Sequence, residues 1–429
     1  MKHLIFFLTL VFSLHLSAQD NSKHEKELDQ YFTALTNLKN FNGNVKIVRN
    51  NTILLDKTYN IPDQINALKV DRNSKFIIAS VSKIFIKYGI LKLVEQGKVK
   101  LSDKINKYIP DFPNGEKISI ENLMYHQSGL PREIRDYEKY ESLSLDKTIE
   151  LAKQETLQFE PGTQTLYSNV GYFILHYIID NISDKGYWNF MQNEIIKKYQ
   201  LKNTGEFNTA KSLSNFAYGF FSESGKITPV PHTSINRFET GNYFSTIDDL
   251  YSFSEQLLSG KNIKKELALK MFGNDQLLVQ AGGRPGYRAY YYQNLKSGVT
   301  FIFTSNITDV PFQKLTEDII NLLENKPYSL PKKINKKAIQ ISDELLKKYT
   351  GKFALEVDNT QIFTIILEDH FLYIIDKDGE KTKMYPETQS SFFDNPESED
   401  SYEFLSNNGE KYNLTIISTG IKLKTKRIE

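Results

Sequence analysis

The chain has 429 residues, more than the roughly 100–200 of one usual domain, which predicts a large domain and a smaller one. Its 54 basic and 52 acidic residues give a formal net charge of +2, and no basic stripe alternates with aromatic residues, so we expect no nucleic-acid partner. Cysteine is absent, which excludes disulfides, thiol catalysis and a lipid-modified N-terminal cysteine.

The first residues are typical of a signal peptide. Lys2 precedes an apolar run from Leu4 to Leu16, and the small residue Ala18 follows it. The run is shorter than the about 20 apolar residues that a membrane-spanning helix needs. We expect residues 1–18 to be removed during export, leaving a periplasmic or secreted protein without stable membrane insertion.

The next segments predict a helix followed by a β-hairpin. Apolar residues recur at helical spacing between Lys23 and Leu38. Val45, Ile47, Ile53 and Leu55 then alternate with polar residues on both sides of Asn50-Asn51, which is typical hairpin turn chemistry.

A second helix is predicted from Ser80 to Glu95, and residues 100–260 are expected to be mainly helices and loops. Strands are then predicted at Leu277–Val279, Ala289–Tyr292 and Val299–Thr304, before a helix from Lys314 to Glu324. This order predicts an α+β domain over residues 21–326, in which an antiparallel sheet is flanked by helices and carries an inserted helical subdomain.

The end of the chain predicts a second domain. Residues 327–340 are rich in proline and lysine and are interpreted as a linker. Residues 341–429 contain short β-type segments and predict a small all-β domain: Ile362–Leu367, Phe371–Ile375, Tyr402–Phe404, Leu414–Ile417 and Ile421–Leu423. Nothing in this domain suggests catalysis, so a stabilising role is our default interpretation.

Ser80 and Lys83 are candidates for nucleophilic catalysis. They lie where a short predicted strand, Phe76 to Ile78, gives way to a helix, and the spacing from i to i+3 puts both side chains on one face. Backbone N–H groups at a helix N-terminus favour a developing oxyanion. A lysine among apolar and cationic neighbours can lose its proton and act as a base.

The spacing alone does not identify the site, because Ser144–Lys147 and Ser329–Lys332 share it. A second candidate element is Tyr167-Ser168-Asn169, in which a tyrosine can relay protons and an asparagine amide can bind a substrate carbonyl. Two other segments carry the same Tyr-x-Asn pattern, so only the surrounding sequence can indicate which of them belongs to a functional site.

That context resembles a known family. Several landmarks occur in a fixed order: Phe76 to Lys83, Asn122 to Pro131, Pro161-Gly162 with Tyr167 to Tyr172, Gly241 to Asp249, and Gly282 to Tyr287. Together they resemble the serine β-lactamase and penicillin-binding protein superfamily, in particular its class C-like branch of β-lactamases, D-alanyl-D-alanine peptidases and esterases. The resemblance covers roughly residues 40 to 325. Tyr349 to Phe353 resemble the start of the small β-barrel-like modules appended to such hydrolases.

The resemblance implies a role for each matching residue. Ser80 corresponds to the acylated nucleophile, Lys83 to its activating partner, Tyr167 to the base, and Asn169 to the contact for a substrate amide. The backbone N–H groups of Ser80 and Gly283 would form the oxyanion hole, which needs small residues around Gly283.

The chain departs from the family in its third motif. Where relatives carry Lys or His, then Thr or another residue, then Gly, this chain has Gln280-Ala281-Gly282. Gln280 is neutral and Ala281 lacks a hydroxyl, so the groups that in relatives hold a substrate carboxylate and bias the tyrosine are absent. Arg284, on the same strand face as Gln280, either restores positive charge or forms a salt bridge at the rim, and the sequence leaves both open.

Other chemistries are disfavoured. The histidines show no His-x-x-x-His pattern, so we expect no metal and no cofactor, and no Gly-x-Ser-x-Gly elbow indicates an α/β-hydrolase. His126 is expected to be a buried, hydrogen-bonded structural residue.

The sequence therefore predicts an exported serine hydrolase that cleaves ester or amide bonds in a small-molecule or peptide substrate through an acyl-enzyme. Esterase or D-amino-acid peptidase activity is favoured over strong β-lactamase activity, because Gln280 and Ala281 lack the usual carboxylate receptor. The alternative is a penicillin-binding-type sensor or ligand-binding protein with little or no turnover.

Overall fold

The computed structural model of the chain describes residues 21–62, 66–140, 143–184, 186–207, 213–223, 226–231, 241–407, 411–418 and 421–429. The predicted signal peptide lies outside these residues. The chain divides into two compact units, the first ending at Thr308 and the second taking in Glu223–Lys226 and Asp309–Glu429. The domain limits and linker stay predictions; residues 326–342 contain neither helix nor strand.

The first unit is built on a 5-stranded antiparallel sheet in the order β2-β1-β10-β9-β8. Its strands are β1 (Gly43–Arg49), β2 (Thr52–Tyr59), β8 (Leu277–Arg284), β9 (Tyr287–Asn294) and β10 (Val299–Ser305). The β1–β2 hairpin turns at Asn50 and Asn51, whose φ angles of 47° and 64° asparagine tolerates better than most residues. The strand β8 has a neighbour on one side alone, so it is an edge of this sheet.

The first helix packs its apolar side into the core of this unit. Helix α1 covers residues 21–37, and its Leu28, Tyr31 and Phe32 are fully buried. The Phe32 ring lies 5.2 Å from Phe41 and 6.4 Å from Phe301 on β10, between ring centroids. Burial of such aromatic side chains supplies much of a core's stability.

The remaining α-helices in the described part of this unit lie between Lys83 and Leu269, and several of them pack around α5. They are α2 (Lys83–Glu95), α3 (Ile120–Met124), α4 (Leu145–Ala152), α5 (Asn169–Ile182), α6 (Tyr187–Met191), α7 (Ile247–Leu257) and α8 (Lys265–Leu269). Helix α5 contacts α2, α3, α4 and α6. Both α2 and α5 are buried on nearly all sides, as expected for helices that run through a core rather than over its surface.

Short strands occur just before and within residues 100–260, the region expected to be mainly helices and loops. A 3-stranded sheet has the order β3-β7-β4, and a 2-stranded sheet pairs β5 with β6. Their strands are β3 (Phe76–Ile77), β4 (Gly205–Glu206), β5 (Phe220–Glu223), β6 (Lys226–Pro229) and β7 (Tyr243–Ser245). Strands this short carry too few residues for an alternating pattern, and of these five strands the sequence predicts β3 alone.

The second unit contains helices α9 (Phe312–Leu323) and α10 (Asp343–Lys347) and a closed β-barrel. The barrel strands follow one another in sequence: β11 (Gly351–Leu355), β12 (Asp358–Glu368), β13 (Phe371–Ile375), β14 (Lys381–Pro386), β15 (Ser391–Phe393), β16 (Ser401–Asn407), β17 (Lys411–Ser418) and β18 (Ile421–Arg427). Pairing of β11 with β18 closes the ring. The predicted all-β domain is thus a barrel around a core that includes Phe353, Phe392 and Phe404.

Candidate active site

The turn that carries Ser80 is held in an unusual backbone conformation. After β3 the chain enters a short 3₁₀ turn, Ala79–Ser82, which leads directly into α2. Ala79 has a φ of 45°, which non-glycine residues rarely adopt. A Cβ on Gly241 would lie 3.1 Å from the Ala79 backbone, which is closer than most Cβ contacts. Strained residues of this kind persist where the surrounding structure fixes them.

The side chains of Ser80, Lys83 and Tyr167 meet at one point. The Lys83 Nζ atom donates a hydrogen bond to Ser80 Oγ at 3.0 Å, and the Tyr167 hydroxyl donates to the same Oγ at 2.8 Å. Lys83 is only 2% exposed, so its ammonium group is held inside the protein beside the serine. The structure brings together the three residues predicted to be catalytic.

Aromatic rings surround this lysine. Its Nζ atom lies 5.2 Å from the ring centroid of Tyr167 and 5.5 Å from that of Tyr172, distances at which a cation is attracted to the ring face. The Tyr172 hydroxyl donates to the Met124 carbonyl at 3.0 Å, and burial raises the pKa of Tyr172 far above its usual value. Tyr172 therefore stays a neutral phenol while Tyr167 contacts the serine.

His126 supports the tyrosines rather than the serine. Its ring lies 4.6 Å from the Tyr167 ring and 5.0 Å from the Tyr172 ring, between centroids. Burial, helped by the positive charges of Lys83, Lys87 and Arg132, lowers the pKa of His126 to about 3. Its Nδ1 accepts a hydrogen bond from the Ser168 N–H at 3.1 Å, so the neutral ring carries its proton on Nε2. These contacts match the structural role expected from the sequence.

Backbone and cap hydrogen bonds fix the Tyr167-Ser168-Asn169 segment at the start of α5. The Ser168 hydroxyl accepts from the Gly171 N–H at 3.0 Å and donates to the Pro131 carbonyl at 2.7 Å. The Asn169 N–H donates to the Arg132 carbonyl at 2.8 Å. Ser168 is thus the helix cap, and the same bonds tie Tyr167 to the loop that follows α3.

Asn169 directs its amide toward a carboxylate. Its Nδ2 atom donates to Glu133 Oε1 at 2.5 Å. Glu133 and the preceding Arg132, whose guanidinium lies 5.1 Å from the Tyr167 ring centroid, were not among the predicted site residues. Both directly follow Pro131, the last residue of a landmark, and this adjacency is the sequence signal that could have identified them.

The strand β8 approaches the Ser80 turn backbone to backbone. A Cβ on Gly282 would lie 2.2 Å from the Ile78 carbonyl oxygen and 3.1 Å from the Val81 nitrogen, so a glycine is required there. Gly283 follows on the exposed side of this edge strand. An edge strand offers backbone N–H groups that are not used in the sheet, which suits the predicted oxyanion-hole role of Gly283.

The two polar side chains on β8 differ in their surroundings. Gln280 is partly exposed, and its Nε2 atom donates to the neighbouring Ala281 carbonyl at 3.1 Å. Arg284 is 7% exposed and donates from Nη1 to Asn242 Oδ1 at 3.1 Å. Arg284 is therefore a buried arginine and not a residue of the rim.

The described residues show neither a metal-binding cluster nor a membrane-spanning helix. Within the ranges that the structure describes, no cluster of three or more histidine, cysteine, aspartate or glutamate residues could hold a metal ion. In the same ranges, no helix is long and apolar enough to cross a membrane.

Residues 28–323 match the Beta-lactamase family model, and the chain belongs to this family. This confirms the superfamily and the β-lactamase-like fold predicted from the sequence; the class C-like branch stays a prediction. The Bacillus subtilis protein PbpX is 30% identical over 233 residues, which are 54% of this chain and 59% of PbpX. Penicillin-binding protein 4* of the same organism is 24% identical over 416 residues, 86% of this chain and 91% of the relative.

Solved structures share the fold at lower identity. The octameric penicillin-binding protein homologue from Pyrococcus abyssi has a TM-score of 0.62 at 18% identity, covering 94% of this chain and 99% of that chain. The D-amino acid amidase from Ochrobactrum anthropi SV3 has a TM-score of 0.58 at 19% identity, covering 69% and 99%. The hydrolase EstCE1, which has promiscuous acyltransferase activity, has a TM-score of 0.58 at 17% identity, covering 73% and 100%.

Proposed function

We propose that this chain is an exported serine hydrolase that cleaves ester or amide bonds through an acyl-enzyme on Ser80. The observation that carries the proposal is the pair of hydrogen bonds that Ser80 Oγ receives from Lys83 Nζ and Tyr167 Oη. A serine hydroxyl is a weak nucleophile unless a neighbouring group removes its proton as it attacks. Two groups that can move protons lie within hydrogen-bond distance of this hydroxyl.

The proposed reaction begins with the Lys83–Tyr167 pair one proton short, as a tyrosinate beside an ammonium group. Ser80 Oγ attacks the substrate carbonyl carbon, and the Ser80 proton passes to the Tyr167 oxygen. The carbonyl oxygen takes up the negative charge and is held by the backbone N–H groups of Ser80 and Gly283. When the tetrahedral intermediate collapses, Tyr167 returns the proton to the leaving nitrogen or oxygen. Water then attacks the acyl group by the same route, which releases the acid and restores Ser80.

The substrate class follows from the neutral third motif. The side chain of Gln280 gives a substrate carboxylate no charged partner, which supports esterase or D-amino-acid peptidase activity with weak β-lactamase activity at most. The structural neighbours include a D-amino acid amidase and the hydrolase EstCE1, which supports the same choice. Asn169 would contact the amide or ester group on the acyl side.

The proposal includes a small-molecule or peptide substrate, no nucleic-acid partner, and a periplasmic or secreted location without stable membrane insertion after signal cleavage. The near-balanced charge and the N-terminal apolar run support these points.

The test is covalent labelling of the purified mature protein with a fluorophosphonate and with a fluorescent penicillin, followed by turnover of a panel of esters and D-amino-acid amides. We expect Ser80→Ala to abolish labelling and turnover. Ser144→Ala is the matched control, because Ser144 also precedes a lysine by three residues but caps α4, where its hydroxyl accepts from the Lys147 N–H. An acyl adduct located on another residue would refute the assignment, and labelling without turnover would favour the sensor alternative.

A further inference from the structure

Arg132 places a positive charge directly over the proposed base. Its guanidinium carbon lies 5.1 Å from the centroid of the Tyr167 ring, within the range of a cation–π contact. Its backbone carbonyl accepts the Asn169 N–H at 2.8 Å, and the Pro131 carbonyl accepts the Ser168 hydroxyl at 2.7 Å. The loop that carries Arg132 is therefore fixed to the start of α5, so the side chain is anchored at the site and not on a detached surface loop.

The guanidinium donors of Arg132 are not used by the rest of the described chain. Arg132 is exposed, and among the residues that the structure describes its guanidinium makes no hydrogen bond and no ion pair. The adjacent carboxylate of Glu133 binds the Asn169 amide instead. An arginine presents five N–H donors in a planar fork that matches a carboxylate in shape and charge.

Two cations of the predicted site, Lys83 and Arg284, are buried and hydrogen-bonded. Lys83 is 2% exposed and donates to Ser80, and Arg284 is 7% exposed and donates to Asn242. Gln280, which stands where relatives carry a cation, is neutral. Of Lys83, Arg284 and Arg132, Arg132 is the one exposed to solvent.

We propose that Arg132 is the receptor for a carboxylate on the leaving group, which makes esters and peptides with a free terminal carboxylate the preferred substrates. This inference rests on the proposed function, in which Tyr167 returns a proton to the leaving group. In that step the leaving atom comes within hydrogen-bond distance of the Tyr167 hydroxyl, so a cation 5.1 Å from the centroid of the Tyr167 ring lies near the leaving group. Arg132 thereby supplies, from the loop after α3, the charge that Gln280 lacks on β8.

The test compares a matched pair of substrates. One is the thioester of N-acetyl-D-alanine with thioglycolate, and the other is the same thioester with the thioglycolate carboxyl group methylated. The thiol that hydrolysis releases from either substrate is measured with a thiol reagent. We expect the wild-type protein to prefer the carboxylate substrate. Arg132→Gln should lower kcat/KM for that substrate by about 10- to 100-fold, the range of a charge-assisted hydrogen-bonded pair, and leave the methyl ester nearly unchanged. Arg132→Lys should recover part of the loss.

Arg135→Gln is the control, because Arg135 is an exposed arginine of the same loop. Equal losses on both substrates in Arg132→Gln would show that Arg132 only positions Tyr167, and would overturn the receptor role. A wild-type protein without preference for the carboxylate substrate would overturn it too. If neither thioester nor the fluorophosphonate reacts at Ser80, the proposed function itself fails, so the two failures can be told apart.

Discussion

Gly282 lies so close to Ile78 that its missing Cβ would stand 2.2 Å from the Ile78 carbonyl oxygen. This contact joins the edge strand β8 to the turn that carries Ser80. Because the partner is a backbone atom, it cannot rotate away as a side-chain atom could. The position of the proposed oxyanion hole therefore depends on a residue without a side chain.

We predict that Gly282→Ala separates β8 from the Ser80 turn. Overpacking of this kind costs typically about 1–3 kcal/mol of stability, and a small displacement of an oxyanion donor lowers the rate by a further large factor. Thermal unfolding and kcat/KM measure the two effects. Val279→Ala is the control, because Val279 is exposed on the same strand and lies outside the third motif. A Gly282→Ala variant with wild-type stability and rate would contradict the close contact.

A second prediction concerns Gln280. We expect Gln280→Lys to raise kcat/KM for a carboxylate-bearing substrate more than for its methyl ester, because a lysine there offers a charged partner. The gain should be larger in the Arg132→Gln background, where the carboxylate has lost its proposed receptor. Steady-state kinetics on the same matched pair give both values. An equal gain in kcat/KM on both substrates would contradict the prediction that the lysine acts as a charged partner for the substrate carboxylate.

The third prediction concerns the stability of the protein in acid. Burial holds the pKa of His126 at about 3, below its value of 6.5 in the unfolded chain. As the pH falls below 6.5, the unfolded chain therefore binds a proton at this residue that the folded protein does not bind. Proton binding to the unfolded state lowers the free energy of unfolding, which is highest above pH 6.5 and decreases as the pH falls. Between pH 6.5 and pH 5 the loss is about 2 kcal/mol for one such histidine.

His126→Gln should therefore flatten the decline of unfolding free energy between about pH 7 and pH 5, even if the variant is less stable at pH 7. Denaturant titrations at several pH values measure this slope. His370→Gln is the control, because the side chain of His370 is 82% exposed. A slope unchanged by His126→Gln would mean that His126 titrates normally in the folded state.

The fourth prediction is that the β-barrel is separable from catalysis. A truncated chain ending at Asn325 should fold and keep most of the hydrolytic activity, because the family match ends at Leu323 and the proposed site residues all precede Ala289. Circular dichroism and kcat/KM of the truncated and full chains provide the comparison. A folded but inactive truncated chain would show that residues after Asn325 contribute to activity.

Local signals predicted much of the fold. The hairpin turn at Asn50 and Asn51 was predictable because the conformation depends on the turn residues themselves. Strands β8, β9 and β10 were placed correctly but cut short, since the Gly282 end of β8 has no alternating pattern. The short strands β14 and β15 of the barrel escaped recognition because long-range pairing, and not their own composition, makes them strands.

At the candidate site, too, local sequence patterns predicted some residues and long-range packing determined others. Ser80, Lys83 and Tyr167 were found because ordered landmarks surround them. Arg132 contacts Tyr167, which lies 35 positions later in the chain, and no local sequence pattern predicts a contact between residues so far apart. Such contacts arise from packing of the loop after α3 on the start of α5, which the sequence alone does not reveal.

The position of β8 at the edge of its sheet also bears on solubility. An open strand edge is a template on which a second chain can pair and aggregate. Here the end of the strand reads Gly282-Gly283-Arg284-Pro285, and glycine and proline are poor strand formers while arginine adds charge. The residues that leave backbone donors open to a substrate thus make the same edge a poor partner for another copy of the protein.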